Sequence, residues 1–220
     1  MNEPAIRLEE QIISMFPHRE TQVLKGWILK KMGGRLLVYP LYYKFSKENI
    51  LDNIQKCEEI SRQSKTECVF RLVEHTNYYL GSLLTDCGYG LKTWGVVGKW
   101  SLTGNTEKFP TERKFKSRLT LKHGTGEDGE YVMAGADTVI GIRCQKLFFL
   151  PDGDLPAADI EDVLQFSLEN GVTQILADLP GQRELPESYE HMGFCKAYLY
   201  SCYTLSEEVR LLRRGMYYGT

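Results

Sequence analysis

The stretch NGVTQILADLPGQRELPESYEHMGF, residues 170–194, decides the fold. Asn170-Gly171 stops a helix, since glycine takes the left-handed cap conformation without a Cβ penalty. Residues 173–177 then form a short β-rich run, and Tyr189 leads through a brief helix to a second stop at Met192-Gly193-Phe194. Upstream, residues 147–150 read as a strand. From about Pro156 the residues Ile160, Val163, Leu164 and Leu168 return at helical spacing. Downstream, Tyr198, Tyr200 and Tyr203 lie in a β-run, where their spacing predicts at least one set of surface or interface aromatics. Strands alternating with helices make this an α/β chain.

The same order occurs about 105 residues earlier, an offset that marks an internal duplication. Ser46 is an N-cap for a helix carrying Ile50, Leu51, Ile54, Cys57 and Ile60. A strand over 68–72 comes next, then a helix through Tyr78, Tyr79, Leu80, Leu83 and Leu84 to the stop Cys87-Gly88-Tyr89. Before this copy, Ile6, Leu8, Ile12, Ile13 and Phe16 make an apolar stripe on a docking helix, and Met32-Gly33-Gly34-Arg35 turns a β-hairpin within 26–43. Between the copies, residues 103–118 are basic and read as a linker. A meander with turns at 126–129 and at Ala136-Asp137 leads into the second copy, and residues 206–214 read as a short capping helix. The chain therefore divides into 1–102, the linker 103–118, and 119–220.

A net charge of −2, with 25% charged and 42% hydrophobic residues, describes an ordinary globular surface. It argues against a nucleic-acid partner, and the basic linker reads as a solvated charge run. No apolar run reaches the roughly 20 residues of a membrane span. The six cysteines lack any C-x-x-C spacing, which argues against zinc and predicts reduced, mostly buried thiols in a cytoplasmic protein. His75, His123 and His191 stand apart from one another, so no metal site is expected.

Asn170-Gly171-Val172, the strand after it, and Ser188-Tyr189-Glu190-His191-Met192-Gly193-Phe194 together resemble the closing half of the GNAT superfamily of N-acyltransferases. Lys25-Gly26-Trp27-Ile28-Leu29, Val69-Phe70-Arg71-Leu72 and Leu83-Leu84 leading to Cys87-Gly88-Tyr89 resemble the degenerate N-terminal half-domain of tandem members. The resemblance covers 24–102 and 130–205. It implies a mixed, mostly antiparallel sheet with flanking helices, and transfer of an acetyl or longer acyl group from coenzyme A to a small-molecule or peptide amine. A homodimer is left open. It further implies that the cofactor lies between splayed strands, contacting Phe148, Phe149, Leu150, Gly153, Leu155 and Ala157, with its diphosphate at a helix N-terminus. Tyr189 would protonate the leaving thiolate.

Departures from the pattern motivate a second reading. Where the family carries an Arg/Gln-x-x-Gly-x-Gly/Ala loop, this chain has Pro151-Asp152-Gly153-Asp154-Leu155-Pro156, with carboxylates that repel a diphosphate and a proline that removes an amide donor. The usual asparagine after strand 173–177 is replaced by Asp178-Leu179-Pro180-Gly181. The linker is too short for the two helices that wall the acceptor site, so either the N-terminal helix and first copy form that wall or no acceptor site exists. A catalytic protein requires strands 145–150 and 173–178 to diverge. A closed pair favours a non-catalytic binding or regulatory module, in which Tyr189 is a packing residue.

Overall fold

The computed structural model describes residues 3–15, 21–42, 46–74, 78–102, 117–123, 130–134 and 138–209. The elements are α1 (Glu3–Met15), β1 (Thr21–Leu24), β2 (Trp27–Met32), β3 (Arg35–Tyr39), α2 (Lys47–Gln63), β4 (Glu67–Val73), α3 (Tyr78–Asp86) and β5 (Tyr89–Ser101). They continue with β6 (Leu119–His123), β7 (Glu130–Ala134), β8 (Thr138–Cys144), β9 (Leu147–Leu150), α4 (Ala157–Glu169), β10 (Gln174–Pro180), α5 (Glu187–His191) and β11 (Cys195–Leu205). Two compact units result: the described parts of 1–6, 19–94 and 200–220 form one, and those of 7–18 and 95–199 the other. Most of the predicted linker, both predicted meander turns, His75, the His123 side chain, Phe16 and the chain beyond Val209 lie outside the described residues.

In the first unit the strand order is β1-β2-β3-β4-β11. The turn between β2 and β3 needs positive φ at both central residues, and Gly33 at +54° and Gly34 at +76° supply it. β3 and β4 are parallel, Arg35 opposite Glu67 through Val38 opposite Phe70, because α2 crosses between them. The Ser46 hydroxyl accepts from the Asn49 amide at the start of α2, whose buried stripe is Ile50, Asn53, Ile54, Cys57 and Ser61. α3 ends at Gly88, φ +84°. Phe70 anchors the core, its ring edge-on to Trp27 at 5.9 Å and to Tyr89 at 5.0 Å.

In the second unit the order is β5-β10-β9-β8-β7-β6, again mostly antiparallel, with β9 and β10 parallel across α4. The α4 stripe of Ile160, Val163, Leu164 and Phe166 packs with Phe148 and Leu150 of β9, Ile175, Ala177 and Leu179 of β10, and Tyr189 and Phe194. Gly171, φ +68°, and Gly193, φ +85°, stop α4 and α5 as predicted.

Several expectations change, among them the apolar stripes, where Leu51 of α2 and Leu168 of α4 are exposed. β10 runs on past the predicted strand 173–177 through Asp178, Leu179 and Pro180, because these pair with Val97, Val96 and Gly95 of β5. Of the three tyrosines in the last β-run, Tyr198 and Tyr200 are buried and Tyr203 is half-buried, and Tyr198 donates to the carboxylate of Glu9, itself wholly buried on α1. Only Cys57 and Cys68 are buried among the six free thiols. Cys87, Cys144 and Cys202 are half-buried and Cys195 is exposed.

Burial pushes the Cys57 thiol up to about 12, and raises that of Cys68 well above its ordinary value. Only the thiolate reacts. Iodoacetamide at pH 8 is therefore expected to label Cys195 and spare Cys57 and Cys68 until the protein unfolds. Equal native labelling of Cys57 and Cys195, read by peptide mass spectrometry, would contradict that packing.

Candidate active site at the end of the parallel pair

β9 is short and fully paired. Leu147, Phe148, Phe149 and Leu150 stand opposite Gln174, Ile175, Leu176 and Ala177 of β10, while Leu147, Phe148 and Phe149 also face Cys144, Arg143 and Ile142 of β8. The backbone of Phe148 and Phe149 thus lies in ladders on both sides. The strands do not diverge over 147–150. β9 ends at Leu150, opposite Ala177, whereas β10 continues to Pro180.

The loop leaving β9 fills the space beside that continuation. Pro151 has no N–H with which to extend the ladder. Two residues on, the Gly153 amide donates to the Asp178 carbonyl at 2.7 Å. The Gly153 carbonyl accepts from the Leu155 amide at 2.8 Å and from the Tyr189 hydroxyl. Gly153 is buried between exposed Asp152 and Asp154. A Cβ there would sit 2.8 Å from the Asp178 carbonyl oxygen, so glycine is required by close backbone approach.

Tyr189 is 1% exposed, on α5, its ring edge-on to Phe194 at 4.9 Å. Burial, then the charges of Asp154 and Asp152, hold its hydroxyl well above the ordinary tyrosine range. Charge on the phenolate is what these surroundings oppose, so Tyr189 is a protonated donor at neutral pH.

The other expected contacts lie further along. Leu155 is half-buried, and Ala157 is exposed on the first turn of α4. The N-cap of α4 is Pro156, which makes no side-chain capping bond, and its carbonyl accepts from the Asp159 and Ile160 amides. Arg118, the last basic residue of the predicted linker, is committed to α4: its Nε and backbone amide each donate to the buried Asp162 carboxylate at 3.0 Å, and its guanidinium lies 3.7 Å from Asp159. That anchor is not a sequence motif, although a carboxylate on the apolar stripe between Ile160 and Val163 hinted at one. Glu9, among Ile6, Ile12 and Ile13, gives the same hint for the Tyr198 bond.

The structure therefore brings Gly153, Leu155 and Tyr189 into one hydrogen-bonded cluster, keeps Phe148, Phe149 and Leu150 in the ladder beside it, and leaves Ala157 at the helix start. Among the described residues no group of three or more His, Cys, Asp or Glu could hold a metal ion. No described helix is long and apolar enough to cross a membrane.

No protein-family model matches the chain, and no curated protein does. Solved structures do. A GCN5-related N-acetyltransferase from Kribbella flavida superposes with a TM-score of 0.60 at 13% identity, over 91% of this chain and 95% of that one. One from Sphaerobacter thermophilus gives 0.52 at 10%, over 81% and 76%. A conserved protein of unknown function from Staphylococcus epidermidis gives 0.52 at 9%, over 83% and 91%. With its parallel pairs set in mostly antiparallel sheets and flanked by helices, the chain has the fold of the GCN5-related N-acetyltransferases, the GNAT fold.

Proposed function

We propose that this chain is an acyltransferase of the GNAT type, moving an acetyl or longer acyl group from coenzyme A to the amine of a small molecule or peptide. The observation that carries the reading is Tyr189: a buried, protonated hydroxyl held at the carboxyl end of the parallel β9–β10 pair, where ligands of open α/β sheets gather. Coenzyme A supplies the thioester. As the amine nitrogen bonds to the carbonyl carbon and the C–S bond breaks, Tyr189 would give its proton to the departing sulfur and regain one from solvent, to which the attacking nitrogen loses its own. The residues suit the reacting end better than the diphosphate end, where exposed Ala157 opens the helix and Asp152 and Asp154 repel like charge.

The repeated order β3-α2-β4-α3 and β9-α4-β10-α5, each ending in a left-handed glycine and a buried aromatic, Tyr89 or Phe194, supports an internal duplication. The same offset sets Leu84, fully buried and apolar, where the second copy has Tyr189, so chemistry is assigned to the second copy. Six free thiols favour a reducing, cytoplasmic setting.

A second reading, a non-catalytic binding or regulatory module, is favoured by the closed β9–β10 pair and by Gly153 seated on Asp178. Thermal unfolding with acetyl-CoA and longer acyl-CoAs separates the two. A ligand at 100 times its dissociation constant adds about 2.7 kcal/mol. A raised midpoint with at least one of them supports the transferase, and no shift with any leaves the module.

A further inference from the structure

We propose that residues 151–155 form an internal strap that occludes the acyl-CoA site, latched to the body of the second unit through Gly153. The inference rests on the transferase reading and adds regulation to it. Two bonds hold the strap from outside itself, Gly153 amide to Asp178 carbonyl at 2.7 Å and Tyr189 hydroxyl to Gly153 carbonyl. The second engages the hydroxyl that the reaction uses, so the latched protein has its proton donor occupied. The first lies on the continuation of β10 past the end of β9, the edge along which a thioester arm would lie. Asp152 and Asp154, exposed on either side of the latch, add charge repulsion against an incoming diphosphate.

The latch is built to be tight yet weak. It is tight because Gly153 approaches β10 so closely that a Cβ would meet the Asp178 carbonyl oxygen at 2.8 Å and Leu179 side-chain atoms at 3.1 and 3.3 Å. It is weak because two hydrogen bonds exchanged for water hold the strap by only a few RT, within reach of a ligand of micromolar affinity. Closed and open strap are then two states of one protein, and acyl-CoA binds only the open one. Its apparent affinity is lowered by the closed fraction.

Gly153 does not occupy the left-handed region, so Gly153→Ala leaves the backbone unstrained and acts through the contact with β10. Amide hydrogen exchange and acetyl-CoA titration, on the full chain, test the strap. In the wild type the Gly153 amide is expected to be protected, and saturating acetyl-CoA should make it exchange faster, opposite in sign to ordinary protection by a ligand. Gly153→Ala should bind acetyl-CoA about tenfold more tightly, the loss of one net hydrogen bond from the closed state. If acetyl-CoA binds but slows Gly153 exchange, or binds both proteins equally, the strap is refuted and the transferase reading stands. If it binds neither, the transferase reading fails and the gate with it. The exchange measurement on the wild type decides the matter even if the variant does not fold.

Discussion

Tyr189→Phe is expected to lower acyl transfer by roughly 10²- to 10⁴-fold, the usual contribution of a positioned acid. The ring keeps its edge-on contact with Phe194, and the Gly153 carbonyl keeps the Leu155 amide, so the fold should lose only about 1 kcal/mol. Acyl-CoA binding should survive. The pH profile gives a second readout: because burial and the neighbouring aspartates raise the Tyr189 hydroxyl above its ordinary value of 10.0, the acid is fully protonated below that pH and lost only above it. Turnover should therefore show no alkaline limb from this group below pH 10. Steady-state kinetics with an accepted amine provide the check, and a variant with undiminished turnover would make Tyr189 a packing residue.

The second large effect is structural. Gly141 of β8 lies where an added Cβ would meet the Phe148 ring at 2.4 and 2.6 Å and the Phe149 carbonyl oxygen at 2.6 Å. Neither neighbour can yield: Phe148 is fully buried in the core under α4, and the Phe149 backbone is in the ladder. Gly141→Ala should cost about 3 kcal/mol, the scale of overpacking in a filled core, by prising β8 from β9. Gly90, with nothing within 4 Å of an added Cβ, is the control, and Gly90→Ala should stay within about 0.5 kcal/mol of wild type. Urea unfolding of both variants measures the difference. Equal midpoints would mean that β8 does not approach β9 as closely as described.

Much of this scaffold is legible in the chain because its punctuation is local. Gly33, Gly34, Gly88, Gly171 and Gly193 all adopt positive φ, and a glycine between periodic segments announces such a position without knowledge of the rest. The helical stripes are local too, although Leu51 and Leu168, which share the spacing, are exposed. The features that escaped the sequence depend on distant partners. Asp178-Leu179-Pro180-Gly181 has turn composition, yet its first three residues are strand because 95–97 lie alongside them. Tyr198 and Tyr200 have strand spacing, which fixes the face they share but not whether that face is covered. Glu9 on an apolar stripe signals a buried acid without naming its partner.

The site divides in the same way. Tyr189 is marked by its place before a glycine stop, and Gly153 by being the lone glycine before α4. Their hydrogen bond is not legible, because it needs a strand end, a loop and a short helix in one place. Pairing over the whole of β9 also runs against the divergence that the resemblance implies. The strap reconciles these observations, since an arm can enter beyond Leu150 without opening the ladder.

A crystal structure with bound acetyl-CoA addresses the transferase reading most directly. The thioester is predicted beside Asp178, Leu179 and Pro180, with Gly153 lifted from the Asp178 carbonyl and the Tyr189 hydroxyl within about 3 Å of the sulfur. Acetyl-CoA absent or bound elsewhere at saturating concentration, with Gly153 still seated on Asp178 and Tyr189, would contradict it.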